Sequence, residues 1–422
     1  MKQSQDKKKL RELIKQILEK SPKNPPPNQV TIGWPAFDEK EIISALESLL
    51  AIRISQGPKT KKFEKLCASY IGKKYAVAVN SGSSANLLAL SALIAQGLPR
   101  GSEVILPATT FATVASPIIQ TGLVPVYVDV DPVTWNIDIG EMKKAIGPKT
   151  RVIMPVHTFG NPVDMLTLMR IAKKHDLFVL EDCCEAHGAT IGKKKVGSFG
   201  DLATLSFFVA HNVTTGEGGM IFTDDKTQYE LLQSLREFGR LPESASKNKR
   251  FSYKDPVMKG FDTRYIFKNL GYNVRMTDIA ASLGIEQIKK LDRLNTKRLQ
   301  VVNQYNKAFK KYEDWIQLPV VRRGTFHSFY GYPFMVKKSA PFSRREFALF
   351  LEKAGIETRP FFGASLPDQP AFRKEVKRVV GKLPVAREIL QQSIFIGCHP
   401  TLTDQHVSHV IKTFEKFFKM YL

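Results

Sequence analysis

Apolar positions along this chain recur with two different periods, and the alternation between them predicts the fold. From residue 64 onward, short continuous runs of Val, Ile, Leu and Ala ("KYAVAV", "EVILP", "VPVYVDV", "RVIMPV", "FVLEDC") take turns with longer stretches. In "SSANLLALSALIAQ", "TVASPIIQTG" and "VDMLTLMRIAKKHD" the apolar residues fall at helical spacing instead. Buried strands separated by helices predict an α/β domain with a mainly parallel sheet covered on both faces. Ahead of it, Leu10, Leu13, Ile14, Ile17 and Leu18 mark a short amphipathic helix with a basic far side. "SPKNPPPNQ" breaks that helix, because consecutive prolines favour an extended linker. After Met276 a long helical region, "DIAASLGIEQIKKLDRLNTKRLQVVNQYNKAFKKY", leads to the aromatic-rich "HSFYGYPFMV" and two further helices. The expected layout is an arm over 1–30, a large domain over 31–290 with its lead-in at 31–60, and a smaller α+β domain over 291–422.

Parallel sheets gather their ligands at the carboxyl ends of the strands. That rule singles out four loops: Asn80–Ser84, Pro107–Phe111, Asp182–His187 and His211–Gly219. In "NSGSSAN" the small residues leave backbone N–H groups free where a helix begins, a cradle for phosphate. Ser and Asn there also serve as ordinary caps. Glu181 and Asp182 end a strand, where an acid suits a protonated ring nitrogen and equally a cap or a structural ion pair. "TTGEGG" permits a close backbone approach to a ligand or to another strand. Phe111 offers a ring for stacking or for the core. Taken in this order along one α/β chain, the loops point to a phosphorylated aromatic cofactor.

Composition narrows the picture. The longest apolar run, "ANLLALSALIAQGL", is interrupted by Ser91 and Gln96 and is too short for a membrane span. No apolar stretch follows the Lys-rich N-terminus, so no secretory signal is read and a cytoplasmic location is expected. The four cysteines, Cys67, Cys183, Cys184 and Cys398, form no metal-like spacing, and adjacent Cys183 and Cys184 are expected to point to opposite faces. Reduced thiols and no metal are the expectation. The 63 Lys and Arg outnumber 40 Asp and Glu, a formal net charge of +23 that attracts anions. No helix-turn-helix, zinc-finger or RNP-like pattern accompanies it, so phosphorylated small molecules are expected rather than nucleic acid.

The motifs "NSGSSANLLALSAL", "EDCCEAHGA", "VGSFGDLATLSFF", "NVTTGEGGM" and "LGYNVRMTDIAASLG" resemble those of the DegT/DnrJ/EryC1/StrS aminotransferases. These are the sugar-modifying branch of the fold-type I, pyridoxal-phosphate-dependent enzymes, and the resemblance runs from about Ile32 to the C-terminus. It implies an aspartate-aminotransferase-like large domain and a set of cofactor contacts. Asp182 would pair with the pyridine nitrogen and keep it protonated. Gly82, Ser83, Ser84 and Ser206 would hold the phosphate, and Phe111 would stack on the ring. Glu185 stands where a Gln commonly approaches the ring hydroxyl. Asn273, in "GYNVRM", matches a residue that reaches the neighbouring subunit's phosphate, which implies a homodimer with shared sites.

One position departs from the aminotransferase pattern. His211 stands where those enzymes carry the lysine that tethers the cofactor. Imidazole forms no such tether, yet it moves protons well near neutral pH. The same exchange marks the nucleotide-sugar 3-dehydratases of this family, in which pyridoxamine phosphate serves to remove the C3 hydroxyl of an NDP-4-keto-6-deoxyhexose. His211 is then the expected base, in a pathway toward dideoxysugars of surface polysaccharides. The alternative is an aminotransferase-like protein of altered or lost activity kept for binding or regulation; retention of Asp182, Phe111, Asn273 and the Gly-rich turn favours the enzyme.

The chain's layout resembles the CDP-linked branch of that subgroup, whose members carry a [2Fe–2S] cluster on four cysteines. Gly239–Gly271 contains no cysteine here, so no cluster is expected. That shifts the expected chemistry toward the cluster-free, GDP-linked branch with glutamate as amino donor. Arg275, Arg359 and Lys249 are candidates for the nucleotide's diphosphate, and Arg359 alternatively for a donor carboxylate.

Overall fold

The alternating strands and helices close into an eight-stranded sheet in the computed structural model, which describes residues 2–22, 24–241 and 251–422. β6 (Thr190–Ile191), β7 (Lys194–Lys195) and β11 (Thr325–Phe326) form a small separate sheet; the strands of the large one are β1 (Tyr75–Val79), β2 (Glu103–Pro107), β3 (Val124–Val128), β4 (Thr150–Ile153), β5 (Phe178–Asp182), β8 (Leu202–Ser206), β9 (Gly219–Thr223) and β13 (Arg378–Val379). They lie in the order β1-β9-β8-β5-β4-β2-β3-β13. β9 alone runs against its neighbours, pairing antiparallel with both β1 and β8. The Gly-rich return after His211 is therefore a reversal between adjacent antiparallel strands.

Period-two alternation loads both faces of this sheet. Val104 and Leu106 of β2 join a core with α4 (Gly82–Ala95), α5 (Ala112–Gln120) and α8 (Lys226–Arg236). Ile105, between them, faces α6 (Ile139–Ala145) and α7 (Met165–Lys174) on the other side. Helix α4 is buried at nearly every position from Ala85 to Leu93, which is why its sequence is apolar all round rather than striped. The N-terminal helix α1 (Lys2–Lys20) forms as its pattern predicts, with Ile14 buried against α2 (Glu39–Leu50) and Leu13 and Ile17 exposed.

The C-terminal third builds a second core around the sheet β10 (Ile316–Gln317), β12 (Tyr332–Val336) and β14 (Ser393–Ile396). Phe309, Phe334, Phe347 and Phe414 fill it, with Phe309 and Phe414 stacked at 4.2 Å. Val30 belongs to this core and pairs with Ile356, so the lead-in segment is anchored on the small domain. Leu366, Phe372, Leu383 and Ala386 instead return to the large sheet's core, and β13 extends that sheet's edge.

The long helical region after Met276 is two helices, Asp278–Ile288 and Leu291–Phe309. The break falls at Lys290, whose ammonium turns inward to Asp38 (2.7 Å) and to Glu41 (2.6 Å), a fully buried carboxylate on α2. Among the described residues no helix is long and apolar enough to cross a membrane.

Candidate active site

A cavity of about 800 Å³ opens where β1, β2, β5 and β8 end, and all four loops singled out by the strand-end rule contribute to its wall. β1 runs into a turn at Ser81, whose hydroxyl caps α4 by accepting the Ser84 amide at 3.0 Å. The Ser84 hydroxyl lies 3.0 Å from that of Ser81, so Ser84 is turned into the cap and does not reach the cavity wall. Ser81, Gly82 and Ser83 line it instead, at the positive end of the helix. Two glycines let this turn sit close to the end of β8. A Cβ on Gly82 would lie 2.5 Å from Ser206 Cβ, and one on Gly219 would lie 2.2 Å from the Ser81 carbonyl oxygen. The Gly-rich turn thus serves a close backbone approach, one of the two roles its sequence allowed.

Alternation at the end of β5 splits the two acids. Glu181 points into the protein, where it accepts the amides of Gly197 (2.8 Å), Phe199 (2.7 Å) and Gly200 (2.6 Å) and faces His157 Nε2 at 3.3 Å. It is the structural partner that the sequence left open. Cys183 lies beside this pair, but His157 already accepts the Val163 amide through Nδ1, so its ring is taken up in hydrogen bonds. Asp182 points the other way, onto the cavity wall. Asn86 Nδ2 donates to its Oδ2 at 2.8 Å, the Cys184 amide donates to its Oδ1 at 3.0 Å, and Thr204 donates to Asn86 Oδ1 at 2.7 Å. Sequence reasoning missed Asn86 and Thr204. The available signal was an Asn in an apolar helix, since a buried amide needs partners.

Phe111 sits at the N-cap of α5 on the cavity wall with 56% of its surface exposed. Ser206 and Cys184 also line the wall, while Cys183 faces the core, as expected of neighbours on opposite faces. Glu185 reaches the same cavity, its Oε2 accepting the Phe159 amide at 2.8 Å. Burial pushes the Glu185 carboxyl well above the usual range, against that amide's pull and with the Asp182 charge adding to the rise.

His211 follows β8 by a short turn and is half-buried on the cavity wall. Its Nδ1 is buried without a partner, which leaves Nε2 as the nitrogen open to the cavity. Burial holds the imidazole's pKa well below its ordinary value, with His187 and the Arg298 cation adding to the effect. The ring is neutral near pH 7. Gly33 packs against Ala210, where a Cβ would lie 2.7 Å from Ala210 Cα, so the lead-in segment forms part of this wall as well. Sequence reasoning did not foresee that contact, nor the aromatic side made by Tyr330, Phe362 and Phe395.

The three basic candidates separate. Arg359 is on the cavity wall, partly exposed and paired with Glu357. Arg275 is not: it binds Glu237 at 3.3 Å and lies over the Phe238 ring. Asn273 is exposed beside Arg275 and likewise lies off this cavity. Lys249 lies outside the described residues.

A mainly parallel sheet with an acid, a helix N-terminus and a stacking ring converging at its carboxyl edge defines the fold-type I, pyridoxal-phosphate-dependent class. The chain belongs to the DegT/DnrJ/EryC1/StrS aminotransferase family, whose sequence profile matches residues 36–415. It is 36% identical to the lipopolysaccharide biosynthesis protein RfbH of Salmonella typhimurium, over 93% of this chain and 91% of that one. It is 35% identical to the dTDP-4-dehydro-2,6-dideoxy-D-glucose 3-dehydratase of Saccharopolyspora spinosa, over 90% and 85%. The solved structure of the E. coli GDP-4-keto-6-deoxy-D-mannose-3-dehydratase with bound hydrated PLP superposes with a TM-score of 0.84, at 31% identity, covering 91% of this chain and 99% of that one.

Proposed function

We propose that this protein is a pyridoxamine/pyridoxal-phosphate-dependent 3-dehydratase that removes the C3 hydroxyl of a CDP- or GDP-linked 4-keto-6-deoxyhexose, with His211 as its base and without an iron–sulfur cluster. One observation carries the reading: a neutral imidazole shares the cavity with Asp182, and among the described residues no lysine lines it. The 3-dehydratases among the relatives support the reaction class.

The residues present fit the cofactor. Gly82 and Gly219 keep side chains out of the turn that opens α4, and the amides there suit a phosphate. Asp182, held by Asn86 and the Cys184 amide, presents a fixed carboxylate for a ring N–H. When bound, pyridoxamine phosphate supplies the amine that condenses with the sugar's 4-ketone and a ring that accepts electrons. Asp182 would keep the ring nitrogen protonated, Phe111 would cover one ring face, and Ser83 and Ser206 would bind the phosphate. Glu185, whose carboxyl burial pushes well above the usual range, would donate to the ring hydroxyl in its protonated form, as a glutamine would. His211 Nε2 would take the proton at C4′ and, as the imidazolium, would hand it to the departing 3-hydroxyl, which would leave as water. Arg359 binds an anionic group, the nucleotide's diphosphate or the carboxylate of glutamate, the amino donor.

A homodimer completes the site in this reading. Asn273 is exposed and lies off its own cavity, which supports a role in a second copy's site, and the apolar Phe208 and Val209 near His211 are also exposed. The absence of cysteine between Gly239 and Gly271 supports a reaction without a cluster.

The test is mass spectrometry of the sugar after incubation with pyridoxamine phosphate and glutamate. The expected product is lighter by one oxygen atom, carries solvent deuterium at C3, and appears with equimolar ammonia and 2-oxoglutarate. Transfer of nitrogen to the sugar, or no change with either nucleotide, would overturn the proposal.

A further inference from the structure

Behind the cavity, His211 Nδ1 and both ring nitrogens of His187 are buried and none makes a well-formed hydrogen bond. The two rings are 5.6 Å apart, centre to centre, and inclined at 59°. His187 is completely buried, packed on the Phe207 ring, and its carbonyl accepts Asn295 Nδ2 at 2.8 Å. Asn295 Oδ1 in turn accepts Asn212 Nδ2 at 2.8 Å, so the residue after His211 is tied to the same support. A buried polar atom left unpaired costs about 1–3 kcal/mol, and three side by side call for a common explanation. Two imidazoles at this spacing satisfy each other across one water when one donates and the other accepts. The Ser206 carbonyl is the backbone acceptor facing His187. An N–H donated there leaves the second His187 nitrogen as an acceptor.

We propose that His187 is a positioning residue that accepts the Nδ1 proton of His211 across one buried water, and so fixes the tautomer whose bare Nε2 faces the cavity. The inference rests on the reading of His211 as the base. The surrounding charge favours a neutral pair. Arg298, buried on the helix Leu291–Phe309, bears electrostatically on both rings and donates to the carbonyls of Phe329 (3.2 Å) and Tyr330 (3.0 Å). Tyr330 packs 5.1 Å from His211, and Glu185 lies across the cavity wall. A proton added to either imidazole would be opposed by the Arg298 cation.

Nitrogen-15 NMR of histidine-labelled protein near neutral pH reads the tautomer directly, with the His211 signal assigned by its loss in His211→Asn. The expected spectrum has Nδ1 protonated and Nε2 unprotonated. His187→Leu should convert His211 to the other tautomer or to a mixture, whereas His187→Gln, which keeps a carbonyl acceptor, should retain the native form. Turnover in the Leu variant should fall by about 10²–10⁴-fold in kcat with KM little changed, as for a base left in the wrong tautomer. An Nε2–H signal in the native protein would overturn the proposal, as would an unchanged His211 spectrum in folded His187→Leu. If the Leu variant does not fold, the native spectrum and the Gln variant decide. The tautomer is read without substrate, so a wrong assignment of the sugar leaves this result standing.

Discussion

At position 211 a lysine and a histidine would meet the same cavity wall with different chemistry. An amine can hold a carbonyl cofactor covalently; an imidazole cannot, and must act on a cofactor held by other contacts. In the proposed function those contacts fall to Gly82, Ser83, Asp182 and Ser206, each on the cavity wall and each at a strand or helix end. What the imidazole retains is proton transfer, and its surroundings keep it unprotonated. Burial, helped by His187 and Arg298, lowers its pKa well below the ordinary value. A base with a lowered pKa is lost only at correspondingly lower pH. The acid limb that His211 contributes to kcat/KM should therefore lie below about pH 6.5. A pH–rate profile checks this; a limb above about pH 7 that vanishes in His211→Asn would contradict it.

At the scale of elements, the site depends on how closely the first turn of α4 approaches the start of β9. Gly219→Ala would place a methyl group 2.2 Å from the Ser81 carbonyl, which forces the turn outward. The expected cost is about 1–3 kcal/mol of stability, with weaker binding of pyridoxamine phosphate, measured by urea unfolding and by fluorescence titration. Glu181 provides a second test, because it binds three backbone amides and His157 in full burial. Glu181→Ala should lower stability by about 3–5 kcal/mol, visible as a large drop in the urea midpoint. Much of this level was legible in the sequence. The strands β2, β3 and β5 and the helices α4, α5 and α7 follow from apolar runs whose length and period distinguish them. The strand-end rule then located the loops that carry His211, Asp182 and Phe111. Other features left no local pattern. β13 is two residues long and is held by Arg378 binding Glu103 across 275 positions of sequence. The break at Lys290 depends on partners in α2, and the choice between Glu181 and Asp182 depends on which way β5 faces. The Thr204–Asn86–Asp182 chain joins three separate elements, so only the folded structure reveals it.

For the whole molecule, burial of imidazoles sets a response to acid. His187, His327 and His399 have their pKa lowered to about 3 by burial. In the unfolded chain the same groups take up a proton near pH 6.5. Between those values the unfolded state binds more protons, so stability is complete above about pH 6.5 and is lost as pH falls. The slope is about 1.4 kcal/mol per pH unit for each group. The urea midpoint should therefore be steady from about pH 7 to about pH 8 and fall steeply below about pH 6. A midpoint that holds or rises at about pH 5 would contradict the neutral burial of these rings.

The central claim is that His211 does at C4′ the proton work otherwise done by a lysine. Its most direct test is a single turnover of pyridoxamine phosphate deuterated at C4′, mixed with the 4-keto sugar on the native protein and on His211→Asn. The native protein should release one deuterium from C4′ as the sugar loses oxygen, and the folded variant should retain it. Release from His211→Asn at the native rate would show that another group is the base.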